Sequence, residues 1–181
     1  GLRPQLAQET IKLVAVRPNE WGEDVKSTTR WSAGRVEHEG AALSVMVPAS
    51  NTARSLPMKV SLTNDGRVPF LVAASGYLLH CRVTIRDKNG TAVPYTVFGS
   101  NLVGPNGGHA QGGVVPFYER TCRTWQFDLV ESFTPLRPGK YLLSLEADLL
   151  FGERSTRHGN WVVTLETADI PFTVTAGAAA K

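Results

Sequence analysis

The chain is predicted to be all-β, a sandwich of antiparallel sheets, on three observations. Several segments alternate apolar and polar residues with the two-residue period of a half-buried strand, most cleanly Pro57–Thr63, Thr124–Val130 and Tyr141–Asp148. Turn-forming clusters such as Asn64-Asp65-Gly66 and Asp87-Lys88-Asn89-Gly90 separate these segments at short intervals. No alternation of strands with helix-period segments appears, which argues against a parallel α/β fold. The chain has 181 residues, 42% hydrophobic and 19% charged. That is enough for one sizeable core and too apolar for a disordered chain.

In chain order, Ile11–Arg17 is apolar in both registers and reads as a strand with both faces partly covered, stopped by Pro18 and Asn19. Trp21–Gly40 reads as a polar, turn-rich connection without helical spacing, broken by Gly22, Gly34 and Gly40. Leu43–Val47 is a short strand and Pro48–Ser55 a loop. In Pro57–Thr63, Met58, Val60 and Leu62 share one face and Lys59, Ser61 and Thr63 the other. Pro69–Ala74 is a short or edge strand. Leu79–Arg86 turns Leu79, Cys81, Val83 and Ile85 inward and His80, Arg82, Thr84 and Arg86 outward. The Asp87–Gly90 turn then returns the chain along Ala92–Phe98.

Leu102–Gly113 is rich in glycine and is expected to be a long mobile loop. Trp125, Phe127 and Leu129 point inward, and Thr124, Gln126 and Asp128 outward. The strand from Tyr141 runs to Leu149 or Phe151, with Tyr141, Leu143, Leu145 and Ala147 on its dry face and Leu142, Ser144, Glu146 and Asp148 on a wetter one. Gly152–Gly159 reads as a hairpin tip. Asn160–Thr175 closes the chain, with Trp161, Val163 and Leu165 in one register and a bulge or an edge at Asp169 and Pro171. The expected organisation is a single domain: residues 1–55 an N-terminal extension lending strands, 56–175 the sandwich core, 176–181 a flexible tail.

Leu136-x-Pro138-Gly139-x-Tyr141 resembles the corner before strand F of immunoglobulin-like and fibronectin type III-like sandwiches, where a Tyr hydroxyl bonds back to nearby backbone. The stretches LPMKVSLTNDGRVPF and CRVTIRDKNGTAVP resemble the B and C strands of such domains. Bacterial members with a similar pattern include the domain named after the intracellular proteinase inhibitor of Bacillus. The resemblance covers roughly Leu56–Thr175 and implies an immunoglobulin-like antiparallel β-sandwich with Pro138, Gly139 and Tyr141 in structural roles. The antibody Cys–Trp–Cys pattern is not met, because Trp125 follows Cys122. There is no reactive-site motif to transfer, so proteinase inhibition is an analogy.

Function is narrowed by exclusion. Net charge is +3, and the basic residues are scattered, which gives no footprint for nucleic acid. No apolar run approaches the roughly 20 residues that cross a bilayer. There is no Gly-x-Ser-x-Gly and no spacing that selects a triad, so no enzymatic activity is expected. His38, His80, His109 and His158 lack ligand spacing, so neither metal nor cofactor is expected. Glu146 and Asp148 share an outward face close enough to meet one cation or sugar, although a solvated face explains them. Cys81 lies in an inward register and Cys122 opposite to Trp125; a disulfide between them is left open. Trp125 and Trp161 read as core. Trp21 and Trp31 sit in polar sequence, where an indole can stack on sugars or anchor an interface, and His109 sits in the Gly-rich segment.

The expected function is a non-catalytic module binding a protein partner through loops or an open sheet edge. The expected setting is secreted, periplasmic or at the cell surface, with no leader visible. The alternatives are a carbohydrate-binding module presenting Trp21 and Trp31 to a polysaccharide, and a proteinase-inhibitor-like domain.

Overall fold

A computed structural model of the chain describes residues 8–12, 31–74, 79–105, 113–151 and 161–176. Its strands are β1 (Gln8–Lys12), β2 (Trp31–His38), β3 (Ala41–Pro48), β4 (Ser50–Thr52), β5 (Pro57–Asn64), β6 (Phe70–Ala73), β7 (Arg82–Asp87), β8 (Val114–Phe117), β9 (Thr121–Asp128), β10 (Gly139–Phe151), β11 (Trp161–Glu166) and β12 (Ile170–Thr175); one short helix, α1 (Val97–Leu102), precedes β8. Two sheets face each other. One has the order β2-β3-β5-β9 and is antiparallel throughout.

The other sheet is built on β10, whose 13 residues serve different neighbours in succession. On one edge, residues 139–143 pair with β12 and residues 146–151 with β11. On the opposite edge, residues 141–146 pair with β7 and residues 149–151 with β6. Buried Thr167 fills the changeover between β11 and β12: its N–H donates to Leu145 O at 2.9 Å, and its hydroxyl accepts from Leu145 N at 3.0 Å. Removing the hydroxyl would leave the buried Leu145 N–H without that partner.

The core lies between the sheets. Leu43, Val45, Val60, Leu62, Trp125 and Phe127 meet Val83, Ile85, Leu143, Leu145, Leu165 and Phe172, all buried. Strand β5 shows the strict alternation that its sequence predicts, with Met58, Val60 and Leu62 fully covered. The pairings β5·β9 and β7·β10·β12 are those of strands B·E and C·F·G of an immunoglobulin-like sandwich. The all-β sandwich class therefore stands. Parallel pairing is confined, among the described residues, to β1 on β11 and β4 on β12.

Several local expectations are corrected. Trp31–His38 is a strand, not part of a turn-rich connection. Its inward positions are Gly34 and Val36, and Gly34 is small because a Cβ would come 2.9 Å from Ile170 Cγ1. Glu39 and Gly40, at φ 48° and 84°, make the tight turn into β3, the geometry of a two-residue hairpin loop written without its usual Asn. The Pro48–Ser55 loop contains β4, which adds to β12.

Ala92–Phe98 does not return as a strand. A single bridge joins Arg86 to Ala92, and then α1 begins, with the Thr96 hydroxyl accepting from Gly99 N. His80 is buried rather than outward, because β7 starts only at Arg82 and the alternation does not extend back through it. Ser144 is likewise buried; the Arg86 guanidinium lies on it at 3.3 Å. Asp169 lies in the connection between β11 and β12, and Pro171 sits on a stretch of β12 whose outer side is an edge among the described residues. Thr173 N donates to Ala49 O, so Pro171, two residues earlier in register, turns its missing N–H to the same side, before β4 begins.

Residues 13–17 of the first expected strand, most of the Gly-rich segment and the expected hairpin tip lie outside the described residues.

Tyr141 is the first buried residue of β10. Its hydroxyl donates to Arg137 O at 2.8 Å, and its ring stacks on Phe172 with centroids 5.6 Å apart. The bond spans the turn at Pro138 and Gly139. Tyr141→Phe keeps the stack and removes only that bond, so it should cost about 1 kcal/mol. Thermal unfolding should show this as a drop of about 2–4 °C; an unchanged midpoint would mean that the hydroxyl bond contributes nothing.

Candidate functional site

A sheet edge binds when its backbone groups are unpaired and unguarded. Among the described residues, β1, β4 and β8 are edges of five, three and four residues, and β8 carries Pro116. Strand β2, eight residues, is one end of the four-stranded sheet among the described residues and packs on β12 through its inward face at Gly34. Strand β9 is the other end of that sheet: eight residues, TCRTWQFD, with neither Lys nor Pro, and among the described residues paired only with β5.

The chain locks β9 at both ends. Arg120, at φ 58°, begins a bulge in which its own N–H donates to Asn64 O at 2.7 Å while Thr121 N donates to Tyr118 O. At the far end the Asp128 carboxylate accepts from Leu56 N, Val130 N and the Ser55 hydroxyl. Leu129 N donates to Leu56 O, which sets the register: odd-numbered residues turn their N–H and C=O toward β5, and even-numbered ones turn theirs to the open side. Cys122, Thr124 and Gln126 therefore present backbone donors and acceptors outward. Their side chains stand exposed on the outer face, where the Ser61 and Thr124 hydroxyls meet at 2.8 Å and Thr63 Oγ1 reaches Cys122 Sγ at 3.4 Å. Trp125 and Phe127 anchor the other face in the core. Arg123 leans over the Phe117 ring at 5.7 Å, which takes its charge off the edge.

Among the described residues, none of those singled out for ligand binding lies on β9. Trp21 and His109 lie outside the described residues. Trp31 opens β2, its backbone opposite Pro48. Glu146 and Asp148 do not form a paired acidic site, since Arg82 takes Glu146 at 3.1 Å and the Thr164 hydroxyl takes Asp148 at 2.6 Å. His38 packs edge-on against Phe151. Among the described residues no three His, Cys, Asp or Glu side chains gather as metal ligands, and no helix is long and apolar enough to cross a membrane.

No family model matches this chain, and no curated protein matches it. Among solved structures it is similar to the CARDB domain of a Pyrococcus furiosus protein, determined in complex with di-metal ions, at 16% identity over 78% of this chain and 99% of that chain, with a TM-score of 0.34. At that distance the likeness carries no argument about ligands.

The two cysteines are not bridged. Cys81 is buried in the core, whereas Cys122 is exposed on the outer face of the other sheet. Burial pushes the Cys81 thiol up from 9.0 to about 12. A thiol reagent at pH 8 should therefore modify Cys122 quickly and Cys81 only after unfolding. The unfolded chain loses the Cys81 proton above pH 9, whereas the folded chain holds it to about pH 12. Alkali thus favours the unfolded state across that window, and stability falls by about 1.4 kcal/mol per pH unit from this group. Cys81→Ala should flatten the alkaline decline relative to the parent. Parallel curves between pH 9 and 11 would show that the thiol ionises as easily folded as unfolded.

Proposed function

We propose that this domain is a non-catalytic interaction module that takes an extended segment of a protein partner as an added strand along β9. The observation that carries the reading is a regular eight-residue edge whose outward N–H and C=O groups at Cys122, Thr124 and Gln126 have no strand beside them among the described residues. Main-chain pairing supplies affinity in this mode, and the exposed small side chains at alternate positions supply selectivity.

Thr124→Pro tests it. Proline at this position deletes an outward N–H and leaves the ladder to β5 whole, so the fold should persist. Trp125→Pro, by contrast, removes an inward donor from the core and should unfold the domain. Short extended peptides selected for binding to the parent should bind Thr124→Pro at least tenfold more weakly, and binding should slow amide exchange at residues 122, 124 and 126. Peptides that bind both forms alike, or that protect amides elsewhere, would overturn strand addition at β9.

A further inference from the structure

A second surface lies on the other sheet. A groove of about 400 Å³ runs beside the start of β10, lined by Ala49, Lys88, Lys140, Leu142, Pro171 and Thr173 among others. Its volume falls in the range of small-ligand sites. The floor is apolar because Leu142 and Pro171 face each other across the β10·β12 ladder and both point away from the core. Lys140 belongs to β10, and Lys88 to the turn after β7, which pairs Asp87 with Tyr141. Two cations from different elements thus stand beside one apolar strip. The lining contains no carboxylate, and among the described residues neither lysine is in an ion pair. The Asp87 carboxylate, next to Lys88 in the chain, accepts from Asn89 N and Thr91 N, and Asp169 engages Arg86 at 3.4 Å.

We infer that this groove binds a small amphipathic monoanion, a hydrocarbon chain ending in a carboxylate. Two lysines act as point charges for a single anionic head, and Leu142 and Pro171 cover the chain. A peptide fits less well. Beyond the lysines, the polar side chains in the lining are Thr173 and Tyr141, the Tyr141 hydroxyl already donates to Arg137 O, Pro171 has no N–H, and Thr173 N is taken by Ala49 O. A peptide lying there would bury its own amides unpaired. This reading concerns a different sheet from β9 and does not depend on strand addition there.

Decanoate is the probe, titrated into the full chain with calorimetry and with the amide resonances of Leu142 and Thr173 as reporters. Saturable binding is expected, with shifts at both residues. Decanol and decyltrimethylammonium, which share the chain and lack the negative charge, should bind at least tenfold more weakly. The Lys88→Gln/Lys140→Gln double variant, exposed at both positions and so expected to fold, should lose tenfold or more for decanoate and little for decanol. Leu142→Asp should abolish binding of both. Equal affinity for decanoate and decanol, undiminished affinity in the double variant, the absence of saturation, or displacement of decanoate by an acidic peptide of higher affinity would each overturn the assignment.

Discussion

Phe70→Ala is expected to destabilise the domain by about 3–5 kcal/mol, the largest effect among the side-chain truncations considered. Phe70 is fully buried in β6, stacked on Phe117 of β8 with centroids 5.4 Å apart and tilted against Phe151 of β10 at 5.3 Å; Phe117 in turn meets Trp125 of β9 at 6.2 Å. Truncation removes the middle ring from a row that joins four strands and both sheets, and the rigid neighbours cannot collapse into the space. For a chain of this size the melting temperature should fall by roughly 6–20 °C. Phe98→Ala is the control. Phe98 is half exposed on α1, and its loss should change stability by no more than about 0.5 kcal/mol. Similar costs at the two positions would contradict this account of the core.

The second large effect is Asn64→Ala, at about 2–4 kcal/mol. Asn64 ends β5 with its side chain completely buried. Its Nδ2 donates to Val68 O and Phe117 O, both at 3.0 Å, and its Oδ1 accepts from Gly66 N. One carboxamide thus joins a strand of one sheet to β8 of the other and closes the turn into β6. Alanine leaves Phe117 O without its partner in a buried position, and Val68 O and Gly66 N without theirs in half-buried ones. Asn64→Asp keeps the shape but loses both donors, so it should be at least as damaging at neutral pH. Chemical denaturation gives the values directly, and a cost below about 1 kcal/mol for Asn64→Ala would show that water replaces the side chain. Because Asn64 and Phe70 both hold Phe117, the double variant should be less destabilised than the sum of the singles.

The two features differ in how visible they are in the primary structure. Asn64-Asp65-Gly66 announces a turn, since these residue types tolerate turn geometry, but nothing nearby signals that the Asn side chain reaches Phe117, 53 positions along the chain. The same holds for the candidate edge. The alternation in Thr124–Val130 puts Trp125 and Phe127 inside and Thr124 and Gln126 outside, as the structure has it. A bare second edge, however, is a statement about which strands are absent from one side, and local periodicity has no term for neighbours. The groove is similar: Lys88, Lys140 and Pro171 come from three segments and meet only because β7 and β12 flank the same stretch of β10.

What sequence alone determined is the class of fold and the facing of its clearest strands, because burying one side of a pleated ribbon imposes a two-residue period on the residues themselves. It was silent where packing overrides that period. Strand β2 was hidden because Gly34 answers to Ile170 rather than to a local pattern. The Ala92–Phe98 return gave way to α1, held by the Thr96 cap. His80 is buried although its neighbours' alternation put it outside. Tertiary structure alone decided the order of strands, the succession of partners along β10 and the separation of Cys81 from Cys122. These depend on contacts between residues far apart in the chain, which no local spacing records.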